Sequence, residues 1–414
     1  MGYFRAITEL LTNKNFALFW VCMLISQVGD YLQITTQGWL ALEMSNSAFA
    51  VSLVAASGTI PQLLFVIIGG IAADRYPKKL FLKALAITQL LISAALSVLV
   101  IFNWANVLTV FVFTFLLGTC AALWQPVYLS CIPQMVPQKR LANAMGLSLT
   151  GLYTARALGP IIAGLSISAL GMRNTYLFNT VSFIFPLVAL LLIELPDIRS
   201  NKQSSTVKPS DATILLVVKD FVLFPLWVLN LSISLLILPV FALLPIFARD
   251  VLHVGATGLG LLMGACGIGQ LLGAMATTLT GGMNSSRYGL YQIMGYIVLG
   301  LQLVFFSLST WLTFSIIALM IFNFLHGLLS PRVNAIVQLY APPLSRGKIQ
   351  SLFLFVFGLV PVGQILIGWI ANLINPQRAT LLFSSGFTLL TLSILIFAPR
   401  FRSIALKEGQ ILTE

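Results

Sequence analysis

Charge is what this sequence has least of. Asp, Glu, Lys and Arg make up only 8% of its 414 residues, with 11 acids and 2 histidines in the whole chain. A water-facing surface uses roughly a quarter charged residues, so a chain this poor in them cannot cover one. Cys22, Cys120, Cys131 and Cys266 show no Cys-x-x-Cys spacing, and each falls inside an apolar run. That predicts small buried residues rather than a disulfide framework or a thiolate metal site. His253 and His326 stand apart from each other and from the cysteines, which excludes a zinc-ligand pattern. The phosphate-cradling Gly-x-x-x-x-Gly-Lys-Ser/Thr loop is also missing. Its nearest approach, Gly347-Lys348-Ile349, lacks both the hydroxyl and the earlier glycine, and no soluble domain accompanies it, so an ATP-driven pump is excluded. With no nucleophile beside a base and no clustered ligands, neither an enzyme nor a bound cofactor is expected. Residues 1–15 lack the apolar core and small-residue cleavage site of a signal peptide, so the first hydrophobic segment is expected to stay as an anchor.

What the chain has in abundance is hydrocarbon, at 58% hydrophobic residues and a mean hydropathy of +0.98. A bilayer core needs about 20 apolar residues per crossing helix. Such runs fill nearly the whole sequence and predict twelve spans, at about 16–42, 49–73, 79–102, 105–134, 141–168, 173–194, 220–248, 256–282, 287–308, 311–341, 347–374 and 378–398. The expected fold is therefore an all-α membrane protein. The formal net charge of +12 sits in short loops rather than on one face. Scattered charge of this kind orients a membrane protein and makes a poor nucleic-acid surface. With the N-terminus inside, cytoplasmic segments receive Arg5, Lys14, Arg75, Lys78, Lys79, Lys83, Lys139, Arg140 and most other basic residues. The outer loops receive only Arg173, Arg249 and Arg378, which places both termini in the cytoplasm.

One long polar connection, containing Asn201-Lys202-Gln203-Ser204-Ser205, divides the spans six and six. It predicts an N-terminal bundle over 1–194, a flexible cytoplasmic linker over 195–219 and a C-terminal bundle over 220–414. The halves resemble each other at an offset of roughly 205 residues: Pro126-Val127-Tyr128 through Val136-Pro137 faces Pro331-Arg332-Val333 through Ala341-Pro342. Internal repeats of this kind build many transporters. The acid-base stretch Gly70-Ile71-Ala72-Ala73-Asp74-Arg75-Tyr76-Pro77-Lys78-Lys79 is not repeated, since the place near Gly281-Gly282-Met283-Asn284 retains only Arg287.

Ionisable groups at membrane depth are functional candidates, because hydrocarbon tolerates them poorly. Asp30 is the only acid in the membrane interior, and Gln27, Gln33 and Gln37 fall around it at helical spacing. Such a stripe would line a water-filled cavity, unless Asp30 is a structural acid paired with a base. Arg156, near mid-depth of the fifth span, is the natural partner, since an Asp–Arg pair lowers the burial cost of both charges. Proton binding at Asp30 would then free Arg156 to hold an anionic substrate group. In the tenth span Asn323, His326, Ser330, Asn334 and Gln338 recur every three or four residues, as a second cavity face or as inter-helix hydrogen bonding. Arg332 points away from that stripe and can snorkel to the interface. Gln125 and Tyr128 in the fourth span, Asn179 in the sixth and Asn230 in the seventh are further candidates.

Several motifs carry a family resemblance. The hairpin residues Gly70, Asp74, Arg75, Lys78 and Lys79 resemble the loop between helices 2 and 3 of the major facilitator superfamily, with Pro77 where that family usually has Gly. Gly146, Gly159, Pro160 and Gly164 around Arg156 resemble the helix-5 signature of its antiporters, with Ala155 and Ala163 at two glycine positions. Ser26-Gln27-Val28-Gly29-Asp30, Ile132-Pro133-Gln134-Met135-Val136-Pro137 and Leu244-Pro245-Ile246-Phe247-Ala248 narrow the resemblance to the branch of macrolide efflux pumps and the enterobactin exporter. The resemblance implies two pseudo-symmetric six-helix bundles in a monomeric bacterial inner-membrane protein, with the hairpin biasing a rocking equilibrium or serving only as a topogenic charge cluster. It also implies export of an amphipathic drug or siderophore by alternating access through a central cavity, in exchange for protons. A lysophospholipid or lipid flippase, or a small-solute importer, of the same fold is the alternative.

Overall fold

The computed structural model describes residues 9–193, 211–280, 287–342, 345–407 and 410–412. The expected linker core at 194–210 and the Gly281–Asn284 stretch lie outside the described residues. Among the described residues, eleven helical stretches are long and apolar enough to cross a bilayer. One of them, Gln138–Leu192, is 55 residues long, enough for two crossings, so there are twelve in all. They run Lys14–Ser45 (span 1), Ala48–Arg75 (span 2), Lys78–Ile101 (span 3) and Val107–Met135 (span 4). The helix Leu141–Ser182 then contains span 5 and the start of span 6, which Ile184–Leu192 completes. Leu223–Val251 is span 7, Gly255–Thr280 span 8, Tyr288–Leu308 span 9 and Leu312–Tyr340 span 10. Span 11 is Arg346–Phe357 continued by Val360–Ile374, and span 12 is Pro376–Phe397. Large apolar side chains stay uncovered along these helices, and Trp104 and Trp311 stand exposed at span ends, as aromatic residues do at a membrane interface.

The spans end where the sequence pattern placed them, with two additions. Asp211–Lys219 forms a helix at the end of the expected linker. Beyond the short helix Pro399–Arg402, strands Ala405–Lys407 and Gln410–Leu412 pair antiparallel, a hairpin that a membrane-span pattern cannot report. Phe401 and Ile404 are fully buried at its root, and the Ile404 carbonyl accepts from the Gly289 amide at 3.2 Å.

The chain divides into two compact units. The first is Met1–Asn46, Ser57–Ser205 and Gly255–Gly264; the second is Ser47–Ala56, Thr206–Val254 and Ala265–Glu414. Within the first, Phe16, Phe19, Leu82, Tyr128, Cys131, Ile132 and Leu190 build a core from spans 1, 3, 4 and 6. Asn13 opens span 1 by accepting from the Phe16 amide, and its own amide donates to the Met135 carbonyl at 2.8 Å, satisfying an orphan group at the end of span 4. Arg140 pairs with Glu9 at 2.6 Å beside this joint. All four cysteines are buried, and none is joined in a disulfide.

Within the second unit, span 7 is the most deeply buried crossing and the least regular. It passes from α-helix through π (Ile233–Ile237) and 3-10 (Leu238–Leu243) segments to a second π segment, Phe247–Val251. Pro239 and Pro245 lack the N–H that a continuous helix would use, and a broken ladder is tolerated at membrane depth only where neighbouring protein covers it. Gly363 of span 11 supplies that cover: a Cβ there would stand 2.5 Å from the Leu235 carbonyl oxygen, the acceptor four residues before Pro239.

Spans 5 and 6 reverse direction at Gly171, with φ 80° and ψ 166°. That region is open essentially to glycine alone and costs another residue about 1–3 kcal/mol. Gly171→Ala is expected to lose stability in that range, read as a lowered midpoint of thermal unfolding in detergent, while Gly347→Ala, at an open position inside a helix, leaves the midpoint unchanged or raises it slightly.

Candidate functional site

Two close helix approaches in the first unit fix the surroundings of the membrane acid. A Cβ at Gly159 of span 5 would stand 2.6 Å from the Tyr31 Cβ and 2.7 Å from the Val28 carbonyl oxygen of span 1. A Cβ at Gly29 would collide with the Ser182 hydroxyl of span 6. Only residues without a side chain let three helices meet this tightly. Asp30 follows Gly29 directly, midway along span 1 and partly exposed. Its neighbour Tyr31 lies within electrostatic reach of Asp30, of Arg156 and of Tyr153 on span 5. Arg156 stands one helical turn before Gly159, so the close approach that presses the two spans together also brings the base into the neighbourhood of the acid. These electrostatic influences meet on Tyr31, a residue the sequence pattern does not single out.

The polar stripe of span 1 divides. Asp30 and Gln27 remain partly exposed, whereas Gln33 and Gln37 are 4% and 3% exposed. Gln33 accepts a hydrogen bond from the Asn179 amide of span 6, and that amide also reaches the Ser93 hydroxyl of span 3 at 3.4 Å. Both glutamines are withdrawn into the bundle, and for Gln33 span 6 presents a partner that a helical wheel of span 1 alone cannot reveal. Gln125 is exposed. Tyr128 is buried in the core against Phe19, ring centroids 5.4 Å apart, with its hydroxyl bonded to Ser148.

In the second unit Asn230 and Asn323 each donate to the carbonyl four residues earlier in their own helix, at 3.1 and 2.9 Å. His326 is buried with its ring parallel to Phe322, centroids 6.3 Å apart. Asn334 is exposed and accepts from Gln350 of span 11 at 3.0 Å, so the lower part of the span-10 stripe bonds to a neighbouring helix. Arg332 lies near Tyr288.

The hairpin lysines also have internal partners. Lys78 donates to the Ser130 carbonyl at 3.0 Å, and Lys79 to the carbonyl of Ile193, the residue capping the last turn of span 6. Cations suit that position, where helix carbonyls are left without an amide. Arg75 is exposed, Gly70 has open space about it, and the side chain of Asp74 lies outside the described residues. The span-5 glycines face different ways. Gly159 abuts span 1, Gly164 packs on Gly260 of span 8, and the Pro160 carbonyl also meets Gly260, while a Cβ at Gly146 would meet nothing within 4 Å.

Known proteins share the fold that carries these residues. A family model described as transmembrane secretion effector matches residues 8–409. The chain belongs to that family. It is a multi-pass transporter of the major facilitator superfamily, in the branch that contains drug and siderophore exporters, rather than an enzyme. The multidrug efflux pump Tap of Mycolicibacterium fortuitum is 26% identical over 400 residues, covering 92% of this chain and 95% of its own. The staphyloferrin A transporter of Staphylococcus aureus is 22% identical over 187 residues, 45% of this chain and 44% of its own. A crystal structure of a POT family transporter, solved with a thioalcohol-conjugated peptide, superposes with a TM-score of 0.75 at 13% identity, covering 94% of this chain and 96% of that one, and shares the fold.

Two groups are invisible to the sequence pattern: Tyr31 with Tyr153, and the hydroxyl cluster of Ser93, Ser97 and Thr180 on spans 3 and 6. The four-residue spacing of Gln89, Ser93 and Ser97 along one face of span 3 was the available signal. The close approach at Gly159 generates a prediction. Gly159→Val overpacks the joint of spans 1 and 5 and is expected to cost about 1–3 kcal/mol, read as a lowered unfolding midpoint together with lost transport. Gly146→Val, with open space around it, should change neither.

Proposed function

We propose that this transporter exports amphipathic small molecules of the drug or siderophore type by alternating access, in exchange for protons. The observation that carries the reading is that Asp30, the one acid at mid-span, and Arg156 of span 5 both lie within electrostatic reach of Tyr31 in the first unit. A charge at the centre of a spanning helix costs about 3 kcal/mol on insertion scales, so an acid kept there has work to do. The substrate class comes from the relatives named as a multidrug efflux pump and a staphyloferrin A transporter. In this reading a proton taken up at Asp30 releases Arg156 to contact an anionic part of the substrate, and proton loss on the other side restores the pair. Gln27 and Gln125 offer accessible hydrogen-bonding groups in the same unit. The side carrying Lys78, Lys79 and both termini is the cytoplasmic face of a bacterial inner membrane, as the positive-inside rule requires. The protein acts as a monomer.

Everted vesicles carrying the full chain, assayed across drugs and siderophores with and without a pH gradient, test the reading. Asp30→Asn is expected to abolish gradient-driven accumulation; accumulation at the wild-type rate would remove Asp30 from coupling. Arg156→Ala removes a charged hydrogen bond and should weaken an anionic substrate by about 1.5–3 kcal/mol, roughly ten- to hundredfold in apparent KM. A neutral substrate should lose much less.

A further inference from the structure

Spans 1, 3 and 6 enclose a chain of polar side chains that the proposed function leaves unused. Gln33 accepts from Asn179, Asn179 reaches Ser93, the Ser93 hydroxyl bonds Thr180 at 3.0 Å, and Thr180 bonds Ser97 at 2.8 Å. Ser97 then donates to the Tyr176 carbonyl at 3.1 Å. Gln33, Ser93, Ser97, Asn179 and Tyr176 are all at least nine-tenths buried. The chain has a direction. Gln33 lies one helical turn beyond Asp30, and Tyr176 lies five residues from the reversal at Gly171, on the side opposite the hairpin lysines. It therefore runs from mid-membrane to the outer end of the unit, inside one helix group.

The chain is also incompletely satisfied. Gln33 Nε2, Gln37 Nε2, Asn179 Oδ1 and the Tyr176 hydroxyl are buried with no hydrogen-bond partner among the described residues. The Gln33 and Asn179 amides are already joined by one hydrogen bond, yet the reciprocal bond between Gln33 Nε2 and Asn179 Oδ1 is not made. A donor and an acceptor thus stand free on two adjacent side chains. Each unsatisfied group at membrane depth costs several kcal/mol, and a buried water joined to two to four polar groups is the ordinary remedy.

We infer that this interface binds ordered water, and that the water and hydroxyls together form a proton route between the outer side and Asp30. The route rests on the reading of Asp30 as the coupling acid; the water site does not. Amides relay protons poorly, so the carriers are the waters held by Gln33, Asn179 and Tyr176 and the hydroxyls of Ser93, Ser97 and Thr180. Each carrier accepts one proton and passes another on, so every O–H bond broken is matched by one formed, and the hydroxyls and waters then turn back before the next proton moves. Tyr31, next to Asp30 on its own span, lies within electrostatic reach of Asp30 and of Arg156 and Tyr153 on span 5; within the network, spans 3 and 6 add only Tyr176 among the described residues. Fed this way, the acid exchanges protons without using the path the substrate takes.

Bound water can be read directly by X-ray radiolytic hydroxyl labelling of the full chain in nanodiscs. Tyr176 and Tyr296 are each 1% exposed, and the Tyr296 hydroxyl is bonded to Gln292, which makes Tyr296 an internal control. Tyr176 is expected to label several-fold faster than Tyr296. Equal slow labelling of the two would overturn the water site. Asn179→Leu should bring Tyr176 down to the control rate. Ser97→Ala, which removes one hydroxyl and little volume, should lower it part of the way. For the route, dicyclohexylcarbodiimide labels protonated Asp30 in proteoliposomes while the pH on the Gly171 side is stepped. The wild type should follow the step, and Asn179→Leu and Ser97→Ala should lag behind it. Variants that keep pace with wild type would refute the route, and a wild type that ignores pH would refute Asp30 as a titrating acid, with the Tyr176 result unaffected.

Discussion

A bilayer gives a side chain nothing to hydrogen-bond with, so every polar group inside these spans must find its partner among the spans. That constraint explains features that look unrelated. Lys79 reaches the terminal carbonyl of span 6, Asn13 serves the ends of spans 1 and 4 at once, and the asparagines of spans 7 and 10 turn back onto their own helices. It also sorts the polar residues by role. Those that satisfy one another hold the spans together, whereas Asp30 and Gln27 stay partly exposed at mid-depth, which is why the proposed function assigns them to substrate and proton.

Partnering requires proximity, and proximity here is made by missing side chains. With no hydrophobic drive between helices in lipid, close packing and hydrogen bonds hold them together, and small residues permit both. Gly29 and Gly159 set span 1 against spans 6 and 5 on either side of the acid. Gly159 thus helps bring Arg156 toward the part of span 1 that carries Asp30, while Gly29 seats the same part of span 1 on span 6. At Gly159 the placement is rigid, because backbone as well as side chain makes the contact.

The fold was nearly all legible in the sequence, because apolar length and loop charge are local properties that the bilayer reads one segment at a time. Span ends from 16–42 to 378–398 fell within a few residues of the helices, and even the reversal near Gly171 was visible as a gap between two runs. The site was only half legible. Asp30 and Arg156 stood out because charge is scarce. Gln33 and Gln37 share a helical face with Asp30, and nothing in span 1 says that Asn179 lies opposite. Tyr128 looked like a lining residue and belongs to the core, since its partners Phe19 and Ser148 come from other spans. The C-terminal hairpin left no signal in a pattern tuned to membrane crossings.

The joint between Pro239 and Gly363 has an evolutionary corollary. Proline leaves a carbonyl bare, and the glycine opposite lets a neighbouring backbone cover it. Either residue alone is a liability: a proline facing a bulky side chain would force the helices apart, and a glycine facing an unbroken helix would leave a gap. The two positions should therefore drift in concert among descendants of this chain, appearing or vanishing as a couple even where the rest of both helices has been rewritten.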